Sequence, residues 1–173
     1  MPGTQKQFIF GMADITWGGE KLPTLGDAAV LKIEPEFIDI ESYELGGTYD
    51  RIAESWKVSL EVVFEEETAK VIQMAIPVEE LKDNLEAVKG YTDGALGMSL
   101  RSKAKELILH PRNMGESKAM DVTIFKAVPT GSYERRYGLE QGKVAVTFTA
   151  MLKDGAEAGQ PGNYFRVGEE PAA

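Results

Sequence analysis

The sequence predicts a mainly β fold, an antiparallel β-sandwich or barrel with one or two helices inserted in it. Three observations carry this. Residues 56–65 alternate, with Val58, Leu60, Val62 and Phe64 on one side and Lys57, Ser59, Glu61 and Glu65 on the other; only Val63 breaks the pattern. Period two with one polar face marks a half-buried antiparallel strand. Residues 143–152 alternate over a longer run, with Val144, Val146, Phe148, Ala150 and Leu152 facing one way. Helical spacing of apolar residues, by contrast, is confined to the stretch from Glu66 to Lys89.

The elements follow in order. Residues 8–16 are apolar and β-prone, and Gly18-Gly19 between Asp14–Trp17 and Glu20–Leu22 predicts a tight hairpin, because glycine supplies the positive φ such turns need. Pro23 to Gly26 is a second turn. Residues 28–40 form a long extended segment that loses strict alternation after Pro35, which predicts a bulge or bend there. Residues 41–55 are polar, with Gly46-Gly47 near the centre, and are expected to form a long inter-strand loop. The Trp56 strand then runs into a helix over 66–75, with acidic residues in its first turn and Pro77 as its stop. A second, more polar helix is expected over 79–89 from Leu81, Leu85 and Val88, with Gly90 ending it. Further extended runs are expected at 96–101, 107–109, 122–128, 143–152 and 164–167.

The 173 residues suit a single domain, 1–173, large enough for a core without disulfides. Hydrophobic residues make up 43% and charged residues 27%, which excludes wholesale disorder. The absence of cysteine excludes a disulfide scaffold, a thiol nucleophile and thiolate metal sites. No apolar run approaches the ~20 residues that span a bilayer, and the N-terminus lacks the apolar stretch of a signal peptide. Residence inside a cell and no membrane association are therefore expected. The formal net charge of −9 argues against gripping a nucleic-acid backbone.

Catalytic residues are scarce. His110 is the single histidine, at the end of an apolar run, and no G-x-S-x-G elbow, Walker A motif or G-x-G-x-x-G is present. Adjacent carboxylates at Glu65-Glu66-Glu67, Glu79-Glu80 and Glu169-Glu170 are read as solvated faces or helix starts. No enzyme activity, catalytic residue, metal or cofactor is expected. Arg101, Lys103 and Lys105 are too few to hold DNA against 28 acidic residues, and are expected to pair with carboxylates of a neighbouring subunit or sit in solvent.

The order of elements resembles that of phage tail tube proteins. The resemblance rests on the hairpin Ala13-Asp14-Ile15-Thr16-Trp17-Gly18-Gly19-Glu20, on Leu25-Gly26-Asp27 before a long strand, and on the strand-into-helix run from Val58 to Ala75. It rests also on Gly142-Lys143-Val144-Ala145-Val146-Thr147-Phe148-Thr149-Ala150 followed by a terminal Tyr164-Phe165-Arg166-Val167-Gly168. It covers most of the chain, with 78–94 fitting less well and read as an insertion on the outside or at a ring edge.

The resemblance implies a structural virion protein whose subunits form hexameric rings, each giving strands to a shared inner barrel. The rings stack into a hollow tail tube that delivers DNA, which passes without specific binding. It also implies further copies of the chain, a tape measure protein, a tail terminator and, where the tail is contractile, a sheath as partners. Location in a virion tail assembled in the host cytoplasm is implied too. Lys57, Ser59 and Glu61 become candidates for the lumen, where an acidic surface would repel DNA. Tyr43, Leu45, Gly46, Gly47 and Tyr49 become candidates for an inter-ring contact, since tyrosine offers interfaces an apolar body and a polar tip. The competing reading from the residues is a closed β-barrel carrying a small ligand in its interior; a third is a hydrolase using Asp and Glu.

Overall fold

The computed structural model describes residues 11–23, 25–84, 86–135, 137–138 and 142–169. The fold is mainly β, 49% strand against 9% helix, with antiparallel sheets and one α-helix. The main sheet holds β1 (Ala13–Trp17), β2 (Glu20–Lys21), β3 (Val30–Ser42) and β4 (Gly47–Phe64). It also holds β7 (Lys105–Pro111), β8 (Val122–Pro129), β9 (Val144–Ala150) and β10 (Phe165–Val167). Its order is β2-β1-β7-β8-β9-β4-β3, with β10 paired to β8. Among the described residues the sheet does not close into a barrel. Its interior is filled by the chain's own side chains, among them Leu60, Val62, Phe64, Leu107, Ile124, Val146 and Phe148, all fully buried.

The alternating strands behave as their period requires. β4 and β9 pair Leu60 with Phe148, Val62 with Val146 and Phe64 with Val144, so that all six meet on one face. The β1–β2 hairpin turns on Gly18 and Gly19, whose φ values are +61° and +82°. Trp17 closes this end of the core. Its indole N–H donates to the Ala127 carbonyl at 3.0 Å, and its ring lies 5.4 Å from that of Phe148.

Four expectations are corrected. The helix α1 spans Ala69–Ala75, not 66–75, because the Thr68 side chain accepts from the Val71 N–H and caps it there. Glu66 and Glu67 therefore precede the helix, and no acidic residue lies in its first turn. The second helix is absent: residues in 78–94 form the hairpin β5 (Val78–Lys82) and β6 (Val88–Asp93), a two-stranded sheet of its own. Its turn is fixed by the Asp83 carboxylate, which accepts from the Ala87 N–H at 2.9 Å, and by Glu86 at φ +59°. Residues 96–101 are not a strand, since Gly97 takes φ +81° in a turn and a 3-10 helix starts at Leu100.

The fourth correction matters most for function. Residues 41–55 are not a long loop. β3 and β4 stay paired almost to their ends, Ser42 against Gly47, leaving only a short turn at 43–46. The bulge expected near Pro35 is present, as a register shift between Glu36 and Phe37. The expected extended run at 8–10, and Glu170, lie outside the described residues.

Candidate assembly interface

β9 pairs with β4 only from Ser59 to Phe64. From Val58 back to Gly47, β3 is the one strand that pairs with β4 among the described residues. At ~3.3 Å per residue this ribbon runs roughly 40 Å, an arm extending from the sheet. Trp56 ties its root to the body by an edge-on contact with Phe165, 5.6 Å between centroids. Two bulges, at Glu54 and at Tyr49, add twist along its length.

Strand pairing sorts the arm's side chains. Residues opposite one another share a face. Phe37, Asp39, Arg51 and Ala53 lie on the face continuous with the core. There Arg51 donates two hydrogen bonds to Asp39, at 2.5 and 2.9 Å, and its guanidinium sits 6.0 Å from the centre of the Phe37 ring. Asp39 is held below the usual carboxylate range by that pairing. The opposite face carries Ile38, Ile40 and Ile52, which remain 50%, 41% and 50% exposed. Phe37 is also half exposed. An isolated two-stranded hairpin is marginally stable in water, and this one exposes apolar residues on both of its faces.

The residues singled out at 43–49 come together at the tip. Tyr43 is fully exposed, and Leu45 and Tyr49 are 75% and 72% exposed. Gly46 takes φ +66° and donates its N–H to the Ser42 carbonyl at 2.9 Å, which closes the turn. Gly47 opens β4. The isoleucines are the residues sequence reasoning missed as a site, although the lost alternation at Phe37-Ile38 was their signal.

Lys57 and Glu61 are exposed and Ser59 half-buried, on the outer face of β4, opposite the buried Val58, Leu60 and Val62. Pairing places Lys32, Glu34 and Glu36 of β3 on the same face. Lys57 forms an ion pair with Glu36, which also accepts from the Ser55 hydroxyl. These contacts hold the Glu36 carboxyl below its ordinary range, and the carboxylate raises the Lys57 ammonium above its own. With two lysines and three carboxylates, this face is a mixed ladder, and the net negative charge is not concentrated there.

Several other charged groups are engaged within the chain. Arg101 pairs with Asp154 at 2.8 Å and Lys103 with Glu79 at 2.8 Å, while Lys105 lies 4.8 Å from the centre of the Trp17 ring. The first two thus find their partners in their own subunit rather than in a neighbour. Glu67 accepts from the Tyr133 hydroxyl and pairs with Arg135 at 3.1 Å. The two nitrogens of His110 face Asp121 at 2.6 Å and the Gly115 carbonyl at 2.8 Å. Two acceptors favour the doubly protonated ring, and the Asp121 hydrogen bond chiefly raises its pKa. Among the described residues no group of three or more His, Asp or Glu is placed to hold a metal. No helix there is long and apolar enough to cross a membrane.

Fold and arm together define a mainly β protein with a two-stranded ribbon extending from its main sheet. No protein-family model matches the chain, and no curated protein does. Solved structures do. One is the sheath/tube terminator of an extracellular contractile injection system, PVC, in the extended state. It is 12% identical with a TM-score of 0.51, over 85% of this chain and 94% of that one. Another is the tube-terminating cap of the anti-feeding prophage, also 12% identical with a TM-score of 0.51, over 85% of this chain and 87% of that one. At this identity the likeness is one of fold.

Proposed function

We propose that the chain is a structural subunit of a phage-tail-like tube, assembling through its β3–β4 arm into rings. The observation that carries this is the arm, whose apolar faces a lone subunit leaves in water. Six-fold rings, stacking into a tube through which DNA passes without specific binding, follow from the resemblance to tail tube proteins. In that arrangement Lys57, Ser59 and Glu61 line the bore, and a face with two lysines against three carboxylates, Lys57 paired with Glu36, offers a passing polyanion no net cationic track. Other copies of the chain, a tape measure protein and, in a contractile tail, a sheath would be its partners, in a virion tail assembled in the host cytoplasm. The role is read as structural rather than catalytic, since His110 already spends both ring nitrogens on Asp121 and Gly115.

A second reading is favoured by the neighbours themselves, which are named as a terminator and a cap. On it the chain forms one ring that ends a tube instead of a stack that builds one. Negative-stain microscopy of the purified protein over a concentration series tests both. Open-ended filaments support the tube subunit, single rings that never stack support the terminator, and particles that stay monomeric overturn both.

A further inference from the structure

A cationic patch surrounds Phe125 on β8. The Lys153 ammonium lies 5.5 Å and the Arg166 guanidinium 5.9 Å from the centre of its ring. Lys126, next to Phe125 in sequence, and Arg101 share the single carboxylate of Asp154, the residue after Lys153, at 2.5 and 2.8 Å. Two cations thus gather about one aromatic ring and two about one carboxylate, in a chain whose net charge is −9.

The outer part of the arm is its complement. Glu41, Glu44 and Asp50 are exposed there, interleaved with Tyr43, Leu45 and Tyr49. The cation among residues 41–54, Arg51, is already bound to Asp39. The tip therefore presents carboxylates and aromatic rings, and the patch presents cations and an aromatic ring.

Building on the reading of the arm as the assembly element, we infer that the acidic tip seats on the Phe125 patch of a second copy of this chain. The tip does not reach its own patch. The arm's root lies beside it, where Trp56 meets Phe165, the neighbour of Arg166. The extended ribbon carries the tip roughly 30 Å away from that root. Tip and patch are different surfaces, so the contact is head-to-tail. Head-to-tail contacts generate rings when the rotation closes and filaments when it does not. The charges act mainly by selecting partner and register, leaving the tyrosines and isoleucines to supply buried area.

The test uses two variants of the full chain, each checked for an unchanged far-UV spectrum and melting curve. One is Glu41→Lys with Glu44→Lys; the other is Lys153→Glu with Arg101→Glu. If Arg101→Glu disturbs the fold by repelling Asp154, Lys153→Glu alone serves. Each variant by itself should need roughly tenfold or more protein to reach half-assembly, because like charges then meet. Mixed one to one they should recover, since the basic tip of the first meets the acidic patch of the second and the second's acidic tip meets the first's unchanged patch. Recovery at wild-type concentration supports the inference. If the tip variant fails and the patch variant assembles normally, the arm docks elsewhere and the proposed function stands without this receptor. If neither variant is impaired, the arm itself is not the contact. A patch whose reversal abolishes only the retention of a duplex DNA oligonucleotide likewise overturns the inference.

Discussion

The tip tyrosines separate assembly from folding. Tyr43 is fully exposed and Tyr49 72% exposed, so the lone subunit gains almost nothing from either ring. Tyr43→Ala with Tyr49→Ala should leave the monomer's melting temperature unchanged within about 1 °C, as surface changes of this kind shift stability by less than ~0.5 kcal/mol. Burial in an interface contributes roughly 1.5–3 kcal/mol for each large side chain. Taking the lower figure twice gives about 3 kcal/mol, and each 1.4 kcal/mol is tenfold in association, so the association constant should fall by at least ~100-fold. Gly46 and Gly47 stay in place, so the turn keeps its φ of +66° at Gly46 and its closing hydrogen bond. Sedimentation velocity across a thousandfold concentration range reads the shift. A double variant that assembles within threefold of the wild-type concentration refutes the reasoning, because the rings would then be exposed in the assembly as well.

Other predictions concern the subunit alone. Gly26→Ala places a methyl group 3.0 Å from the Glu65 Cα and 3.1 Å from its N, both backbone atoms, and should cost about 1–3 kcal/mol in denaturant unfolding. Thr68→Ala removes the cap that accepts from the Val71 N–H and should cost about 1 kcal/mol, with Thr68→Ser recovering most of it. His110 has its pKa raised in the folded state, so its contribution is complete below about pH 6.5 and disappears as the pH climbs through the folded value. Unfolding free energy measured from pH 5.5 to 9 should show that decline in the wild type and lack it in His110→Gln; equal profiles would show that the ring does not stay protonated between Asp121 and Gly115.

What the sequence revealed and what it concealed have a common cause. A strand is legible when one face is buried, because burial writes period two into its residues. β4 from Val58 to Phe64 and β9 were readable for that reason, and Gly18-Gly19 marked the β1–β2 turn by the φ values it supplies. The outer half of the β3–β4 hairpin has no buried face in the subunit, so nothing enforces alternation there. Its glycines, acids and tyrosines carry the composition of a loop while the backbone pairs as strands. Leu81 and Val88 mimicked a helix by their spacing, yet the Asp83–Ala87 turn folds that segment back on itself. The residues at 43–49 do meet at one end of the hairpin, but what carries them there is paired strand and not loop. The isoleucines behind them were passed over because exposed apolar residues on a ribbon obey no period.

Amide hydrogen exchange over residues 37–54, compared between dilute subunits and the assembled particle, tests the account most directly. In the lone subunit these amides belong to a two-stranded ribbon whose two edges are both unpaired among the described residues, and they should exchange orders of magnitude faster than those of β4 from Ser59 to Phe64, which lie between two strands. Assembly should slow exchange in the arm strongly and leave the 59–64 amides as they were. An arm that exchanges equally fast in both states would contradict the claim that this chain assembles through it.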